Sequence, residues 1–165
     1  MNETRPNFWR RRVVAPLLAQ LTQGVTPERL ALTLGVGLAC GLFPFLGFTT
    51  ALCFVAALAL RLNQPVIHIL NQLLWPAQLA GIPLFVWLGQ ILYGATPVPV
   101  DPQEIARVFA ESQREFWSRF GLMGLHAFTA WLLTVPLLVG ATYFVARPLL
   151  RGAAARLTRS GPSAT

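Results

Sequence analysis

The sequence contains no lysine, two cysteines and six acidic residues among its 165. Charged residues make up 12 % of it and hydrophobic residues 55 %, against about 25 % charged in an ordinary soluble domain. A soluble protein of this size could not cover its surface with so few charges. Together with a mean hydropathy of +0.56, this predicts an all-α integral membrane protein of one domain, residues 1–165. The six acids are Glu3, Glu28, Asp101, Glu104, Glu111 and Glu115. None lies within an apolar run, so paired-carboxylate catalysis and proton relay have no home there. His68 and His126 are far apart, with no Cys or acid at ligand spacing, so neither a metal nor another cofactor is expected. Cys40 and Cys53 also lack ligand spacing and read as small apolar packing residues. No short apolar segment with a cleavage site follows the polar, Arg-rich start, so no cleavable signal peptide is expected.

What is present is arginine: all of the +7 net charge comes from it. The Arg residues flank the apolar runs and gather at the two ends. That pattern fits cytoplasmic, positive-inside flanks and contact with the lipid bilayer better than it fits nucleic acid. Residues 8–23 repeat Trp9, Val13, Leu17 and Leu21 beside Arg10, Arg11 and Arg12. They read either as an amphipathic interfacial helix or as a basic tail.

Nothing between Arg29 and Arg61 is charged. Thr26-Pro27-Glu28 is a helix start: Thr26 caps, Pro27 suits the first helical position, and Glu28 meets the positive end of the dipole. A helix is expected from there to about Leu42. Gly37 and Gly41 give a GxxxG spacing that lets another backbone approach. Gly35-x-Gly37-x-x-x-Gly41 is not a dinucleotide loop, because no strand precedes it and no acid follows at the ribose position. Pro44 and Gly47 then break the run, and a second helix is expected from Phe48 to Leu60. Each half rises roughly 20–25 Å at 1.5 Å per residue, short of a full span of about 20 residues. Residues 27–61 therefore read as a Pro-broken, re-entrant hairpin that returns Arg61 to the side of Arg29. The bent backbone must be satisfied by protein or water, and Thr49 and Thr50 are placed to do it.

Asn63 and Gln64 form a polar turn, and Pro65 opens a second apolar run, 65–95, broken at Pro76. At an offset of 32 residues Phe43-Pro44 falls on Trp75-Pro76, which raises a duplicated helix–Pro–helix unit. His68, Asn71, Gln72 and Gln78 recur at helical spacing. One reading is interhelical hydrogen bonding; the other is a substrate or ion path. Residues 101–119 then read as an amphipathic interfacial helix opened by Asp101-Pro102-Gln103-Glu104. Its four acids and three Arg suit the non-cytoplasmic side. Residues 120–147 are uncharged up to Arg147 and read as a spanning helix. Residues 148–165 read as a basic cytoplasmic tail. The hairpin returns, the second run crosses outward and the last crosses back, so both termini are cytoplasmic. Making the first run cross and the second the hairpin gives the same parity.

Several motifs together resemble a known family. Thr26-Pro27-Glu28-Arg29-Leu30-Ala31, Gly41-Leu42-Phe43-Pro44-Phe45-Leu46-Gly47-Phe48-Thr49-Thr50 and Arg61-Leu62-Asn63-Gln64-Pro65 are similar to the bacterial membrane family called domain of unknown function 2062. The resemblance covers Pro27 to Tyr93 and extends to the whole chain. It implies a bacterial inner-membrane location. It also implies an envelope role, since relatives lie near, or are fused to, lipid and glycan biosynthesis proteins. The family's Asn-Pro-x-Thr element is replaced here by Trp75-Pro76-Ala77-Gln78, so no role of that Asn or Thr carries over.

Two functions follow as expectations. The first is a non-catalytic structural or partner-binding module of the envelope, with a second copy or another envelope protein as partner. The second is a transporter or channel-like unit that uses the Pro44 loop and the His68–Gln78 face. The candidate residues for either are Gly37, Gly41, Pro44, Gly47, Thr49, Thr50, Asn63, Pro65, His68, Asn71, Pro76 and Gln78.

Overall fold

The computed structural model describes residues 25–95 and 102–159. The segment at 8–23, Asp101 and the last six residues lie outside the described residues. Those described form six α-helices and no strand: α1 Pro27–Gly41, α2 Thr49–Ala59, α3 Gln64–Leu73, α4 Trp75–Leu92, α5 Pro102–Glu111 and α6 Gln113–Arg159.

The long α6 is the spine. Both α1 and α4 pack on it; α2 and α3 pack on α1 and on each other, and α5 lies against α6. Helix α6 runs antiparallel to α1. Arg147 and Arg151 meet Glu28, Val139 meets Gly35, Trp131 meets Ala39, and Phe128 meets Phe43. The basic end of α6 therefore lies beside the first turn of α1.

Helices α1 and α2 form a hairpin. The Arg29 guanidinium donates to the Arg61 carbonyl at 2.7 Å, which closes the open end 32 residues apart. The sequence drives this locally. Thr26 caps α1 by accepting from the Arg29 N–H. Where the chain leaves the hairpin, α2 stops in a left-handed cap at Arg61 (φ 52°). The Leu62 N–H reaches back to the Ala57 carbonyl and the Arg61 N–H to Leu58, the paired bonds of a Schellman motif. Asn63 then caps α3 by accepting from the Val66 N–H at 3.1 Å. Thr33 ties the pieces together: its hydroxyl donates to the Arg29 carbonyl and accepts from the Asn63 N–H.

Helices α4 and α6 are long and apolar enough to cross a membrane, by length and composition. Only 28 % and 17 % of their most apolar windows are buried, whereas the core helix of a soluble protein is mostly buried. Large apolar side chains such as Phe54, Leu58, Leu137 and Phe144 stand exposed. Helices α1, α2 and α3, of 15, 11 and 10 residues, are each shorter than the 18 or so residues of a span.

Three boundaries differ from the expectations. The segment 101–119 is not one helix: it breaks at Ser112, whose hydroxyl accepts from the Glu115 N–H at 3.2 Å. Ser112-Gln113-Arg114-Glu115 has the capping-box spacing, so α6 starts at Gln113 and passes through residue 120 without interruption. The helix also does not end at Arg147; it continues to Arg159, through most of the expected tail. Pro148 removes one helix hydrogen bond. Buried Leu150, packed with Leu30, Ala31 and Val66, holds the following turn in place, and Ala153 to Ala155 favour helix beyond it. Finally, the two proline breaks are unlike. Seven residues, 42–48, reverse the chain at Pro44, whereas at Pro76 only Leu74 separates α3 from α4, so the breaks are not equivalent turns.

Candidate functional site

The tip of the hairpin presents a problem in backbone chemistry. The last four carbonyls of a helix have no partner within it, and α1 ends inside the apolar packing. The structure closes most of them. The Leu42 N–H takes the Leu38 carbonyl, and the Phe43 N–H takes Cys40. The Ala39 carbonyl accepts from the Trp131 indole N–H at 2.8 Å. One residue past the helix cap, the Phe43 carbonyl accepts from the Gln78 side-chain amide at 3.0 Å. Two side chains from distant elements thus satisfy backbone that the proline break leaves free.

Pro44 is buried and Gly47 is exposed. Gly47 adopts φ +85°, which an L side chain rarely takes, so glycine is needed for the turn itself. The Phe43 ring lies against Trp131 at 4.8 Å and Phe128 at 6.2 Å. Phe45 leans on Gly124. This aromatic cluster seats the tip on α6.

Thr49 and Thr50 do not satisfy the freed carbonyls. Thr49 is buried at the start of α2. The Thr50 hydroxyl instead accepts from the Asn71 amide at 3.3 Å, which ties α2 to α3. Of the polar residues on the second run, Asn71 and Gln78 are buried and bonded to the hairpin. His68 is half-buried and Gln72 is exposed, so of the four residues expected on one face two are buried on the hairpin, one is half-buried and one is exposed. Asn63 is a cap and Pro65 sits in the first turn of α3. Pro76 sits in the first turn of α4.

Gly37 and Gly41 are buried against side chains of α3 and the residue after it: Ile67 and Leu70 at Gly37, Leu74 at Gly41. The backbone-to-backbone approaches lie elsewhere. A Cβ on Gly35 would meet the Val139 carbonyl at 2.9 Å, and one on Gly89 would collide with the His126 carbonyl. Beside Gly89, the Tyr93 ring stacks on His126 at 4.2 Å.

At the opposite end, Glu28 accepts from Arg151 at 2.6 Å, with Arg147 at 3.6 Å. A hydrogen bond from its own backbone N–H, followed by the bond from Arg151, holds the Glu28 carboxyl below its ordinary value. On α5 and α6, Arg119 pairs with Glu115 at 2.8 Å and reaches Glu104 at 3.8 Å. Among the described residues no three of His, Cys, Asp or Glu gather as metal ligands.

A proline-broken helical hairpin, latched by buried Gln and Trp side chains and flanked by two helices of membrane-crossing length, defines the class of this protein. The family model described as "Uncharacterized protein conserved in bacteria (DUF2062)" matches residues 10–159, and the chain belongs to that family. Comparison with curated proteins and with solved structures gave no match.

Proposed function

We propose that this protein is a multi-pass protein of the bacterial inner membrane, with no catalysis of its own, that serves as a structural or partner-binding module of the cell envelope. One observation carries the reading. Two of the three buried polar side chains of the second apolar run, Asn71, Gln78 and Gln90, are taken up in holding the hairpin: Gln78 on the Phe43 carbonyl and Asn71 on Thr50. Side chains that line a path for a solute keep donors or acceptors free for it; these act as interhelical glue. The exposed apolar faces of α2, α4 and α6 then meet lipid, a second copy or an envelope partner. Arg29 and Arg61 at the open end of the hairpin, with Arg147 and Arg151 beside them, suit the cytoplasmic interface.

Gln78→Leu tests the role. It leaves the Phe43 carbonyl without its donor and is expected to cost about 2 kcal/mol, read as a lower unfolding midpoint in detergent. Liposomes containing the wild type are expected to pass no solute. A wild-type flux that Gln78→Leu abolishes without a change in the midpoint would establish a transporter or channel-like unit instead.

Membrane placement has its own measurement. Single cysteines at Arg29, Arg61 and Gly94, in a chain lacking Cys40 and Cys53, are labelled with an impermeant maleimide. Positions 29 and 61 are expected to label from the cytoplasmic side and position 94 from the other. Labelling of position 61 only from outside, with 29 inside, would sink the re-entrant hairpin.

A further inference from the structure

The open end of the hairpin carries positive charge that the chain does not neutralise. Arg29 lies in the first turn of α1, Arg61 follows the end of α2, and Arg147 and Arg151 lie on α6. Leu150 packs with Leu30, Ala31 and Val66, so the starts of α1 and α3 and this stretch of α6 form one layer. Glu28 is the only acid in that layer among the described residues; Glu104, Glu111 and Glu115 lie on α5 and at the start of α6. Arg151 donates to Glu28 at 2.6 Å, and Arg147 stands 3.6 Å from the same oxygen, too far for a hydrogen bond. The buried Arg147 Nε has no acceptor. The Arg29 guanidinium is held on the Arg61 carbonyl. The Arg61 guanidinium has no hydrogen bond or ion pair among the described residues.

We propose that this end binds the phosphodiester of anionic phospholipid in the adjoining leaflet, with the Arg61 and Arg147 guanidinium groups as its donors. A guanidinium presents a planar fork of N–H groups that matches phosphate oxygens. The N-termini of α1 and α3 lie in the same layer and add partial positive charge. Hydrocarbon surface adjoins both arginines. Leu58 and Leu60 precede Arg61, Phe144 and Val145 precede Arg147, and all four are more than half exposed. A ligand with an anion at the level of the arginines and acyl chains beside it meets both surfaces. The charge balance selects the headgroup. A zwitterionic headgroup brings an ammonium that needs a carboxylate, and Glu28 is already held by Arg147 and Arg151. An anionic headgroup brings no such group.

The inference rests on the membrane placement proposed above and is independent of the module role. Maleimide labelling at positions 29 and 61 tests that placement separately. Cytoplasmic labelling of both without any lipid response removes the lipid site and leaves the placement standing.

The test titrates phosphatidylglycerol or phosphatidylcholine into the purified full-length protein in neutral detergent micelles and follows the unfolding midpoint. The expected result is a saturable rise with phosphatidylglycerol and none with phosphatidylcholine or with soluble glycerol 3-phosphate. Arg147→Gln and Arg61→Asn, the latter because asparagine tolerates the left-handed backbone there, are each expected to raise the half-saturating lipid fraction about fivefold. Glu28→Gln, which releases Arg147 and Arg151, is expected to lower it. Arg119→Gln, at the other end of the fold on Glu115 and Glu104, is expected to leave it unchanged and so separates a site from general surface charge. Equal responses to the two lipids, an equal response to glycerol 3-phosphate, full retention of the response in Arg61→Asn and Arg147→Gln, or the same loss in Arg119→Gln would each overturn the proposal.

Discussion

Gly89→Leu is expected to force α4 away from α6 and to lower the unfolding free energy by about 3 kcal/mol, at the upper end of the usual overpacking cost. The reason lies in what Gly89 faces. A Cβ there would fall on the carbonyl of His126, with the Ala127 nitrogen at 2.9 Å. A side chain in the way can change rotamer, but a helix backbone cannot without moving the helix. Even Gly89→Ala should therefore destabilise. Helix propensity alone argues the other way, since alanine is favoured over glycine by about 1 kcal/mol in a helix. Gly140→Ala supplies the contrast. Gly140 lies within α6 with nothing within 4 Å of its added Cβ, so that change should raise stability by roughly 0.5–1 kcal/mol. Opposite signs for the two alanine variants, measured by unfolding in one detergent, establish close backbone packing of α4 on α6. The same sign for both would remove it.

Gly89 also shows where the sequence stops being readable. Gly37 and Gly41 announce themselves by spacing, yet they rest on Ile67, Leu70 and Leu74 side chains. The glycines that let backbones meet, Gly35 and Gly89, have no such spacing to one another. Only the distant chain they touch marks them out. The hairpin was legible because its determinants are local: the Thr26 cap, Pro44, Gly47 and the Asn63 cap all act on neighbouring residues. The partners of its freed carbonyls were not, because a carbonyl accepts from whatever donor the fold delivers. Thr49 and Thr50 were close in sequence, and the fold delivered Gln78 and Trp131 instead. The break at Ser112 is written in the capping-box spacing of Ser112-Gln113-Arg114-Glu115, which the reading of 101–119 as one amphipathic helix opened by Asp101-Pro102-Gln103-Glu104 passes over. The polar residues His68, Asn71, Gln72 and Gln78 looked like one face by spacing. The change of helix at Leu74 places Gln78 in α4 and the other three in α3, so a single helical period does not relate them.

Trp131→Ala should be the most damaging single substitution at the tip, at about 4 kcal/mol. Trp131 is 7 % exposed and acts in two ways. Its indole N–H closes the Ala39 carbonyl, and its ring packs edge-on against Phe43 and tilted against Phe128. Truncation opens a cavity among Phe85, Val86 and Ala127 and leaves a helix-end carbonyl with no donor. Trp131→Phe separates the two contributions. It keeps most of the ring packing and removes the donor, and should cost about 1–3 kcal/mol, the range for an unsatisfied buried polar group. Coupling to Gln78 gives the larger lesson. Trp131 and Gln78 reach the same turn from different helices, so their removal should be non-additive: once one latch is lost the tip relaxes and the second has less to hold. A double-mutant cycle of Trp131→Phe and Gln78→Leu, read by unfolding free energy, measures this. Simple additivity would mean that the two bonds act on independent pieces of backbone, and the tip would not be a single latched unit. A shared coupling energy would make the proline turn one rigid element clamped between α4 and α6, its freed backbone carbonyls satisfied together by Trp131 and Gln78.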